Sequence, residues 1–303
     1  HGRELMIGVV RDEVFGPAVS FGLGGTLVEV FRDREIGLPP LNDFLARRLI
    51  SRTKADKLLK STRGSPEVDR EALVEMLLRV SELATELPGI VEMDMNPVIA
   101  SPDGVVAVDA RIVVEPYNEA ARPFDHMAIH PYPRELVQRS DLSDGTALTI
   151  RPIRPEDAII EREFVNNLSE RSKFLRFMYS LQEITPEALS RFTQIDYDRE
   201  MALIGVVKKK GKEQLVGVAR YYTLPDPKTC EFAIVIADDW QHRGIARRLM
   251  SALVEAARDG RHTRMIGTVL TENRRMLKFV KSLGFHTEVS PDDLNLMDVS
   301  LDL

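Results

Sequence analysis

The sequence predicts a protein of the α/β (α+β) class that folds as two domains. The chain has 303 residues, 44% of them apolar, which is enough material for two packed cores. Strand-like and helix-like segments alternate along both halves, and a proline-containing stretch with little periodicity separates the halves. We therefore expect a first domain over residues 1–115, a linker over 116–145 and a second domain over 146–303.

Composition excludes several classes of protein. No apolar run reaches the length of a membrane span, and the start at His1 lacks the apolar segment of a signal peptide. The single cysteine, Cys230, excludes an internal disulfide and favours a reducing, cytoplasmic setting. Because the chain starts without methionine, we expect it to be part of a longer protein. None of these features indicates an oligomeric state.

Charge is distributed unevenly along the chain. The net charge is −6, yet residues 243–281 carry ten basic side chains against three acidic ones. One basic segment in a near-neutral half is narrower than the surface that nucleic acid requires. The segment suits a small polyanionic ligand better, so we expect neither nucleic acid nor a membrane as a partner.

The first domain is predicted to combine a small sheet with an amphipathic helix. Apolar residues from Ala72 to Leu83 recur at the i, i+3, i+4 spacing of a helix. Ser101-Pro102-Asp103-Gly104 separates two apolar stretches and predicts a hairpin turn. The predicted strands are 5–11, 17–21, 91–99 and 105–114.

The second domain is predicted to begin near Gly145. Short hydrophobic runs bounded by turn residues indicate strands, and longer stretches with helical periodicity indicate helices. The predicted strands are 146–153, 200–207, 214–223, 229–237, 263–270, 285–290 and 294–301. The predicted helical segments are 156–168, 171–192, 244–259 and 272–283.

A glycine-containing turn between a predicted strand and a predicted helix is the most informative feature of the second domain. Backbone N–H groups at a helix N-terminus converge on one point and bind phosphate, aided by the helix dipole. Gly244 and Ala246 carry little bulk there, and Arg243 and Arg247 add charged donors. The turn predicts a pyrophosphate site, with an ordinary glycine turn as the alternative. Its candidate contacts are Gln241, His242, Arg243, Gly244, Ile245, Ala246 and Arg247.

These residues resemble motif A of the GNAT superfamily of N-acetyltransferases, whose pattern is Gln/Arg-x-x-Gly-x-Gly/Ala. Asn273 and the later Leu283-Gly284-Phe285 resemble the second signature of the same superfamily. The resemblance implies a GNAT acyltransferase fold over 146–303, with a mixed, mostly antiparallel sheet. It also implies acetyl-CoA as the acyl donor.

The resemblance implies specific roles for residues near the turn. Glu231 matches the family's general base, which is needed because a lysine amine with a pKa of about 10.4 must lose a proton before it attacks. The amide of Val235 would meet the thioester oxygen, and Ala237 would bind the pantetheine arm. Asn273 would hold the cofactor or order a water. Cys230, which alternates with Glu231 along the strand, is predicted to be a packed core thiol.

One position departs from the family pattern. Many GNAT enzymes carry a tyrosine four residues before the glycine–phenylalanine pair, where it protonates the leaving thiolate. Val280 occupies that position here. The CoA thiolate could leave unassisted or take its proton from water or another side chain, and Tyr221 and Tyr222 are open candidates.

Longer phrases narrow the resemblance. Ile150–Asp157, Gln194–Ala202 and the linker phrase His126–Pro133 resemble bacterial protein lysine acetyltransferases of the Pat type. The implied reaction is acetyl transfer to a protein lysine by direct attack in a ternary complex. In that family the usual protein substrates are acyl-CoA synthetases. A small-molecule amine acetyltransferase and a non-catalytic acyl-CoA sensor or scaffold remain alternatives, and Val280 favours the sensor.

The first domain resembles part of the ATP-grasp fold of NDP-forming acyl-CoA synthetases. The resemblance rests on Asp94-Met95-Asn96-Pro97 and Asp109-Ala110-Arg111, and it implies Asn96 and Asp109 as ligands of a vestigial Mg²⁺ site for ATP. Since other lobes of the synthetase are not part of this sequence, we expect no ligase activity. A role in regulation or in docking of the protein substrate is the expectation instead.

Overall fold

The computed structural model describes residues 2–25, 33–61, 66–118, 122–179, 182–209 and 211–303. The chain divides into two compact units, His1–Pro131 and Tyr132–Leu303. Within the described ranges, no helix is both long enough and apolar enough to cross a membrane.

The first unit is a six-stranded sheet with helices against one face. Its strands are β1 (Arg3–Asp12), β2 (Gly16–Leu23), β3 (Arg34–Gly37), β4 (Ile90–Ser101), β5 (Gly104–Ala107) and β6 (Arg111–Val114). Its described helices are α1 (Asp43–Arg52), α2 (Ala55–Leu59) and α3 (Arg70–Glu86). The strand order is β3-β2-β1-β4-β5, and β6 also pairs with β4. The core joins alternate residues of β1 to the inner face of α3, as with Leu5, Ile7, Leu73 and Leu77.

Local sequence signals explain most of this unit. The predicted helix over Ala72–Leu83 lies within α3, where the Asp69 carboxylate caps the N-terminus by accepting the Ala72 N–H at 3.0 Å. The predicted stretch 105–114, however, forms two strands rather than one. The Val108 N–H donates to the Pro97 carbonyl at 3.0 Å, but Pro97 has no N–H to return, so the ladder breaks there.

The second unit is an eight-stranded sheet. Its strands are β7 (Gln138–Asp141), β8 (Ala147–Pro152), β9 (Glu200–Lys209), β10 (Lys212–Thr223), β11 (Thr229–Ile236), β12 (Arg264–Leu270), β13 (His286–Val289) and β14 (Leu296–Asp302). Its described helices are α4 (Ala158–Asn167), α5 (Glu170–Phe177), α6 (Pro186–Thr193), α7 (Ile245–Asp259) and α8 (Arg274–Lys281). The order is β13-β14-β12-β11-β10-β9-β8-β7. Only β11 and β12 run parallel among the described pairings, which confirms the predicted mixed, mostly antiparallel sheet.

Helices cover both faces of this sheet. Leu249 and Leu253 of α7 pack in one core with Cys230 and Phe232 of β11. Phe164 and Val165 of α4 pack in a second core on the other face. Cys230 is fully buried and burial raises its pKa to about 12, so it is the packed thiol that the alternation predicts.

Two predicted boundaries differ from the structure. The predicted linker contains β7, which pairs with β8 through contacts such as Gln138 with Ile150. All four β7 side chains are exposed, so no hydrophobic alternation marks the strand in the sequence. The predicted helical segment 171–192 forms α5 and α6. Met178 ends α5 in a left-handed conformation, and Pro186 begins α6 behind the Thr185 cap.

Candidate active site

The parallel strands β11 and β12 separate in the middle of the sheet. They pair only from Thr229 to Glu231, opposite Arg264 to Ile266. Beyond Glu231, β11 continues along β10 while β12 continues along β14. A cavity of about 710 Å³ lies at the opening. Its walls are β11 from Phe232 to Ile236, the end of β12, helix α5 and the N-terminal ends of α7 and α8.

The turn before α7 has the backbone that a phosphate site needs. Gly244 is the N-cap of the helix and has φ +79°, and His242 has φ +63°. Residues that line the cavity here are Gln241, His242, Gly244, Ile245, Ala246 and Arg247. The first N–H groups of α7 have no acceptor within the helix, so they are available to an anion in this cavity.

Arg243 does not take the predicted place beside the phosphate. Its guanidinium stacks 4.6 Å from the centre of the Trp240 ring and pairs with Asp144 at 2.8 Å. Since Arg243 is absent from the cavity wall, we correct its assignment to support of the turn. Arg247 does line the cavity, and its Nη2 donates to Ser282 Oγ at 2.8 Å.

Four further arginines line the cavity: Arg171, Arg176, Arg274 and Arg275. Arg275 donates to Gln241 Oε1 at 3.0 Å, and Gln241 Nε2 donates to the Ile236 carbonyl at 3.3 Å. This chain of contacts ties α8 to the end of β11. The two α8 arginines belong to the basic segment 243–281, whereas the two α5 arginines carry no sequence signal that marks them.

Asn273 opens α8, as the resemblance implies. Its side chain caps the helix by accepting the Met276 N–H at 3.1 Å, and the residue lines the cavity. Val280 is fully buried in the core, so that position supplies no acid to a leaving thiolate. Tyr221 is also buried and packs edge-on to His262, on the sheet face opposite Tyr222.

The ladder between β10 and β11 fixes which peptide groups face the opening. At one end, Leu224 N–H donates to the Thr229 carbonyl at 2.9 Å; at the other, Ala237 N–H donates to the Val216 carbonyl at 2.9 Å. Hydrogen-bonded pairs alternate along an antiparallel ladder. The register continues without a shift, so Val235 and Val218 form a hydrogen-bonded pair, in which the N–H and C=O of Val235 point at β10.

This alternation corrects two predicted roles. The Val235 amide points at β10 and cannot be the donor to the thioester oxygen. The Ala237 N–H donates to the Val216 carbonyl and its carbonyl accepts the Trp240 N–H at 2.8 Å, so the Ala237 N–H is not available to the pantetheine arm. The peptide groups that face away from β10 belong to Phe232, Ile234 and Ile236. The Ile236 contact with Gln241 agrees with that direction.

Glu231 stands where the two strands part. Tyr222 is its register partner on β10, and the Tyr222 hydroxyl donates to Glu231 Oε2. Both side chains lie on the face that carries α4, α5 and α6. The cavity wall begins with the next residue, Phe232. The predicted base is therefore placed at the mouth of the opening.

A cluster of buried charges lies on the same sheet face. Glu161 is 2% exposed, and its Oε1 lies 3.6 Å from Arg220 Nη2 while its Oε2 has no partner. Burial raises the pKa of Glu161 and lowers that of Arg220. Burial also lowers the pKa of Arg176 to about 10, against the attraction of Glu161 and Glu231. Arg176 thus carries a positive charge at neutral pH between the cluster and Glu231.

The predicted metal ligands of the first unit do not form a site by themselves. Asn96 on β4 accepts the Gly25 N–H through Oδ1 at 2.9 Å, and Asp109 is exposed in the segment opposite. No group of three or more His, Cys, Asp or Glu side chains is arranged for a metal within the described ranges. The vestigial Mg²⁺ site at Asn96 and Asp109 therefore stays a prediction, and we derive no step through it.

Comparison with known proteins gives a match to each unit. Residues 1–114 match the model of an ATP-grasp domain, and residues 167–285 match that of the acetyltransferase (GNAT) family. An acetyltransferase of Pseudomonas aeruginosa is 36% identical over 152 residues, which are 50% of this chain and 82% of that protein. The GNAT domain of S. lividans PAT has a TM-score of 0.53 at 24% identity, with 57% of this chain and 100% of that domain covered.

The first unit also resembles a ligase subunit. The beta subunit of ADP-forming acetate–CoA ligase I of Pyrococcus furiosus is 44% identical over 113 residues. These residues are 37% of this chain and 49% of that subunit, so the chain spans about half the subunit's length. At 24% identity, the likeness to the S. lividans domain establishes the fold of the second unit and nothing finer.

Proposed function

This chain belongs to the acetyltransferase (GNAT) family, and from that premise we propose that it acetylates the ε-amine of lysine in a protein. An ATP-grasp-like domain precedes its acetyl-CoA-dependent acyltransferase domain. One observation carries the proposal. A carboxylate stands where β11 and β12 part, and outward-facing peptide groups and a helix N-terminus line the cavity beyond it.

The donor end of the cavity supports acetyl-CoA as the substrate. The pyrophosphate would accept hydrogen bonds from the N–H groups at the start of α7, where Gly244 is the N-cap in a left-handed conformation. Arg247, Arg274 and Arg275 supply positive charge for the phosphates. The pantetheine arm would then run along β11 and place the thioester near Glu231.

The chemistry that we propose is a direct transfer. Glu231 accepts a proton from the lysine ammonium, and the free amine nitrogen attacks the thioester carbon. The carbonyl oxygen becomes an oxyanion that accepts the outward-facing N–H of Ile234. The C–S bond then breaks and the amide forms as its nitrogen loses a second proton to water. The thiolate takes a proton from water because Val280 offers none, and Glu231 releases its proton to solvent before the next turnover.

The acceptor side supports a protein rather than an enclosed small molecule. Tyr222, beside the base, is 44% exposed, and Phe174 and Tyr179 on or just after α5 are 41% and 56% exposed. A lysine on a protein surface can reach a base at such an open mouth. The Pat-like phrases favour the same acceptor, and the ATP-grasp-like unit is proposed to dock or regulate it.

The test is label transfer from radiolabelled acetyl-CoA by the wild-type chain and by Glu231→Gln. The acceptors are a lysine-peptide panel, an acyl-CoA synthetase, polyamines and aminoglycosides. We expect transfer to protein or peptide lysine, and a loss of roughly 10²- to 10⁴-fold in the variant with unchanged acetyl-CoA affinity. Near-wild-type turnover of the variant contradicts the base assignment. Transfer to small amines alone contradicts the protein acceptor, and binding without transfer to any acceptor supports a sensor instead.

A further inference from the structure

Tyr222 lies in a row of side chains across the centre of the second sheet. Its register partners are Glu200 on β9 and Glu231 on β11, so a phenol stands between two carboxylates on one face. A phenol has a single O–H to donate. That O–H is directed to Glu231 Oε2.

The hydrogen bond restricts the carboxylate at the mouth of the opening. A glutamate side chain rotates about three bonds, and an exposed one samples many rotamers. With Oε2 held by the phenol, fewer rotamers are open to Glu231, and Oε1 is the oxygen that carries no hydrogen bond among the described contacts and can take the proton of the acceptor. A base must lie within hydrogen-bond reach of the proton it removes, so its orientation decides how often it is productive.

We propose that Tyr222 is a positioning residue that holds Glu231 in the orientation in which it deprotonates the acceptor amine. The inference rests on the proposed function, because it assigns Tyr222 a role through Glu231. The role also argues against Tyr222 as the acid that protonates the thiolate, since its proton is already directed to the base. Deprotonation of the amine needs no side chain beyond Glu231.

Tyr222 remains a donor throughout the working range of pH. Burial, with help from the hydrogen bond to Glu231, raises the pKa of Tyr222 to about 12. The charged groups that face this pair are Glu200 from β9 and Arg176 from α5. Neither supplies a second donor hydrogen bond to Glu231 among the described contacts, so the phenol is the group that sets its orientation.

The experiment compares Tyr222→Phe with Tyr221→Phe in the full chain. Both variants remove one phenolic hydroxyl from neighbouring positions, but Tyr221 faces the opposite core. We expect Tyr222→Phe to lower kcat roughly 10- to 100-fold, as for loss of a hydrogen bond to a charged group, with the KM for acetyl-CoA within about twofold. Tyr221→Phe should leave kcat near wild type.

A double-mutant cycle with Glu231→Gln completes the test under single-turnover conditions. If Tyr222 acts through Glu231, adding Tyr222→Phe to Glu231→Gln should change the residual rate by less than about twofold. An unchanged kcat in Tyr222→Phe alone, or a full additional loss in the double variant, would overturn the proposal. If Glu231→Gln itself keeps wild-type turnover, the proposed base fails, and that result is separate from any result of Tyr222→Phe.

Discussion

At the scale of single residues, the site depends on backbone conformation as much as on side-chain chemistry. Gly244, in the left-handed region, is the N-cap of α7, and Asn273 is the N-cap of α8. The two helix N-termini that line the donor cavity therefore each begin at a capping residue. Such roles follow from local sequence, because a cap is decided by its nearest neighbours. The side chain of Arg243 is different. Its partner Asp144 lies 99 residues away, and no local pattern can report that pairing.

Gly244→Ala tests the conformational requirement. A Cβ at Gly244 meets open space, so the cost comes from φ +79° and is about 1–2 kcal/mol of stability. The methyl group would also occupy the side of the turn that lines the cavity, so we expect acetyl-CoA affinity to fall roughly tenfold, or about 1.4 kcal/mol. Gly211→Ala is the matched control, with φ +80° and open space at a hairpin tip. It should lose similar stability by urea unfolding and keep its affinity by calorimetry; equal affinity in both variants contradicts the role of the turn.

At the scale of elements, successive residues of β11 point their peptide N–H and C=O groups in alternating directions, which divides these groups into two sets. One set joins the sheet through β10, and the other faces the opening. Hydrophobic periodicity predicts the order of strands and helices here because each element buries its own stripe. It does not predict β7, which buries none of its side chains, or the hydrogen-bonding parity of β11. The direction of each peptide group depends on the partner strand, so the resemblance named Val235, whose amide faces β10, whereas the donor that we propose is Ile234.

Amide hydrogen exchange tests this parity without a mutation. The Val235 amide is held by β10 and should exchange slowly in the free protein. The Ile234 amide faces the opening, so it should exchange faster and become protected when acetyl-CoA is added. Protection measured by NMR for the two neighbouring amides gives an internal control. A reversed order, with Val235 responding to the ligand and Ile234 already protected, contradicts the assignment.

At the scale of the whole molecule, each unit has a hydrophobic core of its own. The first core is built on β1 and α3, and the second unit has a core on each face of its sheet. Every residue that lines the donor cavity lies between Ser169 and Phe279, within the second unit. The domain composition could be predicted from sequence because each half carries its own motifs. The boundary could not be placed well, since residues 132–145 join the second unit through an exposed strand.

A chain of residues 132–303 should therefore fold alone and bind acetyl-CoA with the affinity of the full chain. We expect one cooperative thermal transition and unchanged binding by calorimetry, because the cores and the cavity of this unit are retained. Transfer to a protein acceptor should fall if the ATP-grasp-like unit docks that protein, while transfer to a short lysine peptide should not. A chain beginning at residue 146 is the comparison, and it should be less stable because it lacks β7. Weaker acetyl-CoA binding by residues 132–303 than by the full chain contradicts the conclusion that the second unit alone forms the donor site.

The two sets of peptide groups along β11 set limits on how this strand can change during evolution. Substitutions that keep the strand extended leave the outward N–H of Ile234 in place, because a backbone group does not depend on the side chain it carries. Insertion of one residue between Glu231 and Ile234 would exchange the two sets and turn every following side chain to the other face. Point changes from Phe232 to Ile236 that keep the strand extended therefore leave the proposed oxyanion donor in place, whereas a change of one residue in the length of the strand does not.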